Sequence, residues 1–512
     1  MERVQQFLPG YYRDSVALMQ LSAKLTAQDG VVSASVQMAT AANLDLLLNT
    51  GLLSQPLAAR PNDLLVVVQA NSVAQGQAAL EFAQQALDEK KGVGDSSAKT
   101  EPPRSIAMAL AQDPLGNVVL ISTPGEFAGA EALKALKQGL NVMMFSDNVP
   151  GWQEVKLKTY ARDHDLLVMG PDCGTSILGG VPLAFANVVT PGAIGVVGAS
   201  GTGIQQVTCL IDSLGQGISH AIGTGGHDLS QEVGGITMLS ALGLFAADEK
   251  TKVIVLLSKP PAESVAARIL EEAQKVTKPI VICFLGDEIR PARGKLTFAP
   301  TLEQAAVLAV GLLTGQRTKA GPERGDSDRA LLEGRHAAGF VRGLFTGGTF
   351  CYEAQILLQP FLGEVFSNTP TKGVQKLPDL WKSQGHTLID LGDDDFTRGK
   401  PHPMIDPSTR NDRLLQEAKD PQTGLILLDL VLGYGAHENP AAGLVEVIAR
   451  SRAVAQAEGR KLEFVGFVCG TDKDPQNLAQ QRAALSGAGV FVAESNAHAA
   501  ELVRQLVAGS QA

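Results

Sequence analysis

The sequence predicts an α/β protein of several domains built on parallel sheets, with a small α+β unit at its start. Three observations predict it. The chain has 512 residues, more than one core absorbs, so three or four domains are expected. Hydrophobic residues make up 45% and aromatics only 5%, which suits layers of Ala, Val, Leu and Ile, and 54 glycines supply many tight strand-to-helix turns. From residue 105 onward, short continuous apolar runs alternate with helical patterns, the rhythm of strands covered on both faces by crossover helices.

Composition also excludes several function classes. A net charge of −10 leaves no basic stripe for a nucleic acid. The cysteines Cys173, Cys209, Cys283, Cys351 and Cys469 lie far apart with no CxxC pair. That points to reduced thiols rather than a disulfide or zinc framework, and no metal site is expected. No apolar run reaches the roughly 18 residues that span a bilayer, and no basic-then-apolar signal opens the chain. A cytoplasmic protein with no membrane contact is the expectation.

Taken in order, residues 1–95 form the α+β unit, with strands over 31–40 and 63–70 and helices over 16–28 and 73–90. A ferredoxin-like or ACT-like arrangement fits them. The polar stretch 89–104, with glycine and proline, is a first linker. Residues 96–190 make the first parallel-sheet domain, with strands 116–122, 141–145 and 165–169 and helices 126–138 and 152–163. Its last strand runs into Gly170, Pro171, Asp172, Cys173 and Gly174, a turn at the carboxyl edge where open α/β sheets bind ligands. Residues 191–314 make the second domain: a strand ending at Gly223 before GTGGHDLSQEVGG, then strands 253–258 and 279–285 around helix 261–275. After Gly286 the pattern decays. Residues 315–335, charged and almost free of apolar side chains, read as a linker close to disorder. Residues 336–512 make the last domain, with strands 339–345, 387–391, 424–430, 463–469 and 490–492.

One stretch organises the rest: PGAIGVVGASGTGIQQVTCLIDSLGQG, residues 191–217. It reads as a buried strand, a turn bearing Gly198, Gly201 and Gly203, and a helix from about Thr202 that stops at Gly215. Turn and helix start aim several backbone N–H groups and the positive end of a helix dipole at one point. Ser200 and Thr202 add hydroxyls. The stretch is an anion cradle for phosphate, or else a tight turn without a ligand. A second glycine-bearing turn, residues 433–437, also lies between a buried strand and a helix.

Four segments then carry a resemblance. LLVMGPDCG, GVVGASGTG, GTGGHDLS and VIVLLSKPPAESVAARILEEAQKVTKPIV are similar, in that order, to consecutive segments of the succinyl-CoA synthetase α subunit. Residues 336–512 resemble, more loosely, the carboxyl-terminal domain of the β subunit. The fused arrangement, together with DDDFTRGKPHPMIDP, resembles the FdrA family. The resemblance implies a partial, Rossmann-like CoA-binding-like domain over 96–190, a flavodoxin-like domain over 191–314 and a CoA-ligase-like domain over 336–512. It also implies that helix N-termini from the two halves share one phosphate, with Ser200, Gly201 and Thr202 on one side and Gly433 and Gly435 on the other. The implied activity is that of an oxamate carbamoyltransferase subunit in ureide (allantoin) degradation. Carbamoyl passes from oxalurate to phosphate, giving oxamate and carbamoyl phosphate, with companion subunits in a homo- or hetero-oligomer.

The departures from the synthetases matter as much. No histidine lies between His227 and His336, where the phosphohistidine loop should fall, and there is no P-loop or room for an ATP-grasp domain. The glycine-rich CoA turn has no counterpart before Ser105. Phosphate or carbamoyl phosphate is therefore the expected substrate, and CoA and ATP are expected to have no part. His227, Asp228, Asp394 and Arg398 are the catalytic candidates. Asp393, Asp395, His402, Gly225, Gly226 and His437 are the candidates for substrate contacts. The carboxylates at 393–395 would bind the carbamoyl NH₂ or a divalent cation; a hydrated, helix-capping loop explains them almost as well. Capping is also the plainer reading of His227 and His437, and packing that of Cys173. An acyl-CoA synthetase and a non-catalytic scaffold are the competing classes.

Overall fold

The computed structural model describes residues 1–508 apart from residues 12, 14, 50, 56, 58, 62, 90–102, 288–289, 317–327, 329, 330 and 399. Most of the stretch 89–104 and of the linker 315–335 therefore lies outside the described residues, and so does the expectation of disorder there.

At the start of the chain, β1 (Glu2–Leu8), β2 (Val31–Met38) and β3 (Leu64–Ala70) form an antiparallel sheet in the order β1-β3-β2. β3 is a run of buried apolar residues and takes the centre, while β1, polar and largely open, gave no apolar signal in the sequence. Helices Ser15–Thr26 and Val73–Glu89 pack Leu18, Leu21, Leu25, Leu80 and Ala83 onto Val36, Val66 and Val68. This is the small α+β unit. The next domain is a parallel sheet of three strands in sequence order, β4 (Val118–Ile121), β5 (Asn141–Met144) and β6 (Val168–Met169).

The second sheet begins with a hairpin that the sequence did not announce, β7 (Thr175–Leu178) and β8 (Val181–Ala184). Then come β9 (Pro191–Ala199), β10 (Ile218–Gly223), β11 (Val253–Ser258), β12 (Ile280–Phe284) and β13 (Leu296–Phe298), in the spatial order β13-β12-β11-β9-β10-β7-β8. The pattern does not decay after Gly286. A three-residue strand, too short to read from an alternation, completes the sheet, and the helix Leu302–Thr314 follows. Thr301 caps that helix by accepting from the Gln304 amide at 3.1 Å.

The third sheet comprises β14 (Phe340–Phe345), β15 (Val365–Ser367), β16 (Gln375–Lys376), β17 (His386–Asp390), β18 (Thr423–Val431), β19 (Glu463–Cys469) and β20 (Phe491–Ala493). All its pairings are parallel, in the order β16-β15-β17-β14-β18-β19-β20. All nine residues of β18 are buried, as a central strand covered on both faces requires.

The second and third sheets share one core. Ile204, Val207 and Ile211 from helix Gly201–Ser213 meet Phe350, Ala354 and Leu358 from helix Gly348–Leu362, with helices Leu302–Thr314 and Asn496–Ala508 alongside. Buried polar contacts fix the seam. Asn187 Nδ2 donates to the Leu432 carbonyl and to Asp474, and the Val188 amide donates to Asp474 as well. β9 has β11 on one side and β10 on the other, and β14 has β17 and β18. Each is thus the strand where chain order reverses across the sheet, and the crevice beyond its carboxyl end is where such sheets bind ligands.

Candidate functional site

The helix that follows each switch strand points its N-terminus into the same place. After β9, Ser200 is the extended cap of helix Gly201–Ser213, and its Oγ accepts from the Gly203 amide at 3.0 Å. The Gly201 and Thr202 amides are left at the open end of the helix. After β14, the Thr346 and Gly347 amides donate to buried Asp429 at 2.7 and 2.8 Å, which sets the turn into helix Gly348–Leu362. The Gly348 and Thr349 amides face outward there. Ser200 Oγ lies 2.6 Å from Thr349 Oγ1. A Cβ placed on Gly347 would sit 3.0 Å from Thr202 Cγ2. Two positive helix ends, each equivalent to roughly half a charge, therefore converge with their donors.

This corrects the expected partner of the Ser200 turn. Gly433 and Gly435 do not open a helix; the next one starts only at Pro440. The Gly433 amide is spent on Gln476 Oε1 at 3.0 Å and the Tyr434 amide on the Ala186 carbonyl at 2.9 Å. Both glycines have positive φ and are pressed against the second sheet, where a Cβ would meet Ala186 O at 2.6 Å and the Phe185 ring at 2.7 Å. Their reason is close packing. The glycine pair that opens the second helix is Gly347 and Gly348, which the sequence displays as the end of a strand running into a helix.

Charged groups ring this cradle. Asp390 ends β17 buried, and its Oδ1 accepts from the Gly392 amide at 2.9 Å. A Cβ on Gly348 would lie 2.4 Å from its Oδ2, so the carboxyl rests against the helix end. Burial pushes the Asp390 carboxyl up to about 6, while Lys259 draws it down and Asp393 raises it. Asp172, from the Gly170–Gly174 turn, opens onto the solvent of the crevice. Desolvation by its neighbours and the charge of Asp147 raise its carboxyl to about 6, against the pull of His227 and Lys259. His227 is exposed beside it, and a Cβ on Gly226 would be 3.4 Å from Asp172 Oδ2. Gly225 packs on the same turn, where a Cβ would strike the Pro171 carbonyl at 2.1 Å. His402 reaches the cradle from the other side: a Cβ on Gly392 would be 2.6 Å from its Nε2. Its Nδ1 accepts from the Met404 amide at 3.2 Å, and burial holds the imidazole down at about 4, so it is neutral with Nε2 as the donor.

The remaining candidates are placed otherwise. Asp228 is not a catalytic group. It is fully buried, its two oxygens accept from the Thr237 and Met238 amides at 3.1 and 3.0 Å, and Lys158 Nζ lies 2.8 Å away and 2.7 Å from Glu154. It caps helix Ile236–Ala247 and neutralises a buried lysine. Asp393 caps the four-residue helix Asp394–Thr397, accepting from the Asp395 amide at 3.1 Å, and Asp394 and Asp395 are exposed on it. Arg398 is exposed and makes no ion pair among the described residues. His437 Nδ1 accepts from the Asn439 amide, a capping role. Cys173 is buried and its thiol is pushed up to about 11 by burial, which fits packing and not attack. Asp390 and Lys259 are charged positions beside the cradle that the sequence reading did not single out, while Asp172 stood there only as part of the turn at a sheet's carboxyl edge. Their signal was available in principle, since each ends a strand or fills the turn after one.

A cavity of about 450 Å³ adjoins the cradle, lined by Gln20, Leu120, Ser122, Phe145, Phe185 and Gly435 among others. It lies at the carboxyl ends of β4 and β5, under the first helix of the N-terminal unit. Thr175 links it to the cradle: its Oγ1 donates to the Phe185 carbonyl at 2.6 Å and would lie 3.3 Å from a Cβ on Gly201.

Parallel sheets joined through two converging helix ends define a fused protein of the succinyl-CoA-synthetase-like class. Residues 189–286 match the CoA binding domain and residues 344–506 the CoA-ligase family, while residues 1–103 match "AllF, heavy metal-associated domain". The chain belongs to the family of the Escherichia coli protein named "Uncharacterized protein YahF", to which it is 42% identical over 98% of this chain and 97% of that one. Over 32% of this chain it is also 29% identical to "Succinate--CoA ligase [ADP-forming] subunit alpha 2" of Archaeoglobus fulgidus, of which 57% is covered. The "Malate--CoA ligase subunit alpha" of Methylorubrum extorquens is 28% identical over 32% of this chain and 56% of that one. A solved dinucleotide forming acetyl-coenzyme A synthetase 1 of Ca. Korarchaeum cryptofilum, in the apo form, covers 77% of this chain and 83% of that one at 15% identity, with a TM-score of 0.29.

These matches overturn the expectation that CoA and ATP have no part. That expectation rested on the missing phosphohistidine loop, CoA turn, P-loop and ATP-grasp domain, whereas the CoA binding domain matches over residues 189–286, which hold β9 to β12, and the matched relatives include ADP-forming ligases. A heavy-metal role for the N-terminal unit is a different matter. Residues 1–103 contain no cysteine and no histidine, which leaves them without the thiolate and imidazole ligands common in heavy-metal sites. No metal-holding cluster occurs among the described residues, and no helix among them is long and apolar enough to cross a membrane.

Proposed function

We propose that this protein moves an acyl group on or off a phosphate held between helices Gly201–Ser213 and Gly348–Leu362, and that the acyl group is carbamoyl. The observation that carries the reading is the meeting of two helix ends at Ser200 and Thr349. In the forward direction a phosphate oxygen attacks the carbamoyl carbonyl of oxalurate. The tetrahedral oxyanion faces the Gly201, Thr202, Gly348 and Thr349 amides, and the C–N bond then breaks to leave carbamoyl phosphate. The departing oxamate nitrogen needs a proton. Asp172, with its carboxyl raised to about 6, supplies it, and His227 beside it returns one from solvent. His402, neutral and donating through Nε2, orients a substrate carbonyl. Companion subunits, in a homo- or hetero-oligomer in the cytoplasm, are part of this reading.

The CoA binding domain and CoA-ligase matches favour a second reading, in which CoA takes the acyl group from the acyl phosphate, its arm filling the cavity beside Phe185. One experiment separates the two. The full chain, with its companion subunits, is given oxalurate and phosphate, with and without CoA and ADP, and carbamoyl phosphate is measured. Product without CoA supports carbamoyl transfer to phosphate. Turnover that depends on CoA supports the second reading, and no turnover under either condition removes both.

A further inference from the structure

Lys259 occupies a place that neither the sequence motifs nor the family matches assign. β11 ends at Ser258, and the chain bends at Lys259. In the parallel register of β11 and β9, Leu257 is opposite Gly198 and Ser258 opposite Ala199. The next step puts Lys259 beside Ser200, the cap of the first cradle helix. Its Nζ lies 5.7 Å from the centroid of the Tyr352 ring, and Tyr352 is one turn beyond Thr349 on the second cradle helix. The ammonium is therefore held between the two helix ends. Its charge bears on both Asp172 and Asp390. No carboxylate lies within ion-pair distance of it among the described residues, and it is only half-buried. A lysine on a flexible stem, near enough to two carboxyls to draw both down but paired with neither, can swing to a third anion.

We propose that Lys259 is a phosphate-binding residue, whose ammonium closes the cradle over the peripheral oxygens of a phosphate or acyl phosphate and sets its preference for doubly charged anions. The inference rests on the phosphate reading of the paired helix ends. Backbone amides supply direction and partial charge, and Lys259 supplies a full positive charge that a dianion needs beside the carboxyls of Asp172 and Asp390.

The test is titration calorimetry of inorganic phosphate into the full chain, comparing wild type, Lys259→Met, Lys259→Gln, Lys259→Arg and Gly201→Glu. Removing the charge should weaken binding about tenfold or more, the scale of a lost charge-assisted hydrogen bond, while Lys259→Arg stays within a few-fold of wild type. Gly201→Glu, which puts a negative charge into the cradle, should abolish binding. If both neutral Lys259 variants bind like wild type while Gly201→Glu does not bind, the role of Lys259 is overturned and the cradle stands. If wild type binds no phosphate, or Gly201→Glu binds as well as wild type, the cradle itself is overturned and Lys259 with it.

Discussion

Ser200 Oγ and Thr349 Oγ1 lie 2.6 Å apart across 149 residues of sequence, and this one contact joins the helix N-termini that follow the switch strands of two sheets. Ser200 does two things at once, because the same oxygen accepts from the Gly203 amide. Ser200→Ala should therefore lower stability by about 1 kcal/mol through loss of the cap. Thr349→Val should weaken the same contact, so the double variant should cost less than the sum of the two single ones by about 0.5 kcal/mol or more in denaturant titrations. Strict additivity would mean that the two hydroxyls do not interact in solution.

Anion affinity should depend on pH through Asp172 and Asp390. Both carboxyls are raised to about 6 and border the cradle. A bound anion favours their protonated forms, so proton uptake accompanies binding, and affinity rises as pH falls through 6. Sulfate, whose charge is constant over this range, is the suitable ligand. Between pH 7.5 and 5.5 its dissociation constant should fall several-fold, and a flat profile would exclude the two carboxyls from the site. For the empty protein the sign is related. Asp390 is raised above its unfolded value, so its contribution to stability is full below about 4 and is lost as pH rises through about 6.

Gly433→Ala separates packing from binding. The residue has φ 107° and its added Cβ would meet Ala186 O at 2.6 Å, so stability should drop by about 1–3 kcal/mol or more. Phosphate affinity of the folded protein should stay within twofold of wild type, measured by calorimetry below the melting temperature. A large loss of affinity in a fully folded variant would return Gly433 to the binding site.

Asp228→Ala should behave as a stability mutation. It removes one of the two carboxylates paired with Lys158 in the core, leaving Glu154, and uncaps helix Ile236–Ala247, a loss of about 3 kcal/mol by analogy with broken buried pairs. Thermal denaturation reads this directly. Turnover per folded molecule should change little, and a variant that melts like wild type but is inactive would contradict the structural role.

The thiols offer a simple check on the fold. All five free cysteines are buried. A thiol reagent at neutral pH should label none of them rapidly in the native protein and all five after denaturation. Fast native labelling of Cys173 would show that the Gly170–Gly174 turn opens to solvent.

Much of the architecture was legible because apolar runs and glycine turns are local signals. Helix Gly201–Ser213, read from pattern as beginning near Thr202, and strand β19 over 463–469 stand where pattern alone put them, while the capping role of Ser200 came only with the structure. The hairpin β7–β8 and strand β13 were not legible, since short edge strands carry little alternation and are defined by what they pair with. The site was half legible for the same reason. One glycine-rich turn announces its own helix end, but nothing in a linear pattern says which of two later glycine turns comes to face it.

By itself, then, the sequence determined the α/β class, the small N-terminal unit, the strand-turn-helix at Ser200 and the likeness to fused synthetase-type chains. These follow from local periodicity and from residues adjacent in the chain. The tertiary structure alone decided that Thr349, and not Gly433 or Gly435, meets Ser200, that Asp228 is buried on Lys158, and that the charge of Lys259 bears on both Asp172 and Asp390. Those facts depend on how two sheets share one layer of helices, and burial, charge and contact there are set by side chains hundreds of residues apart packing into a common core.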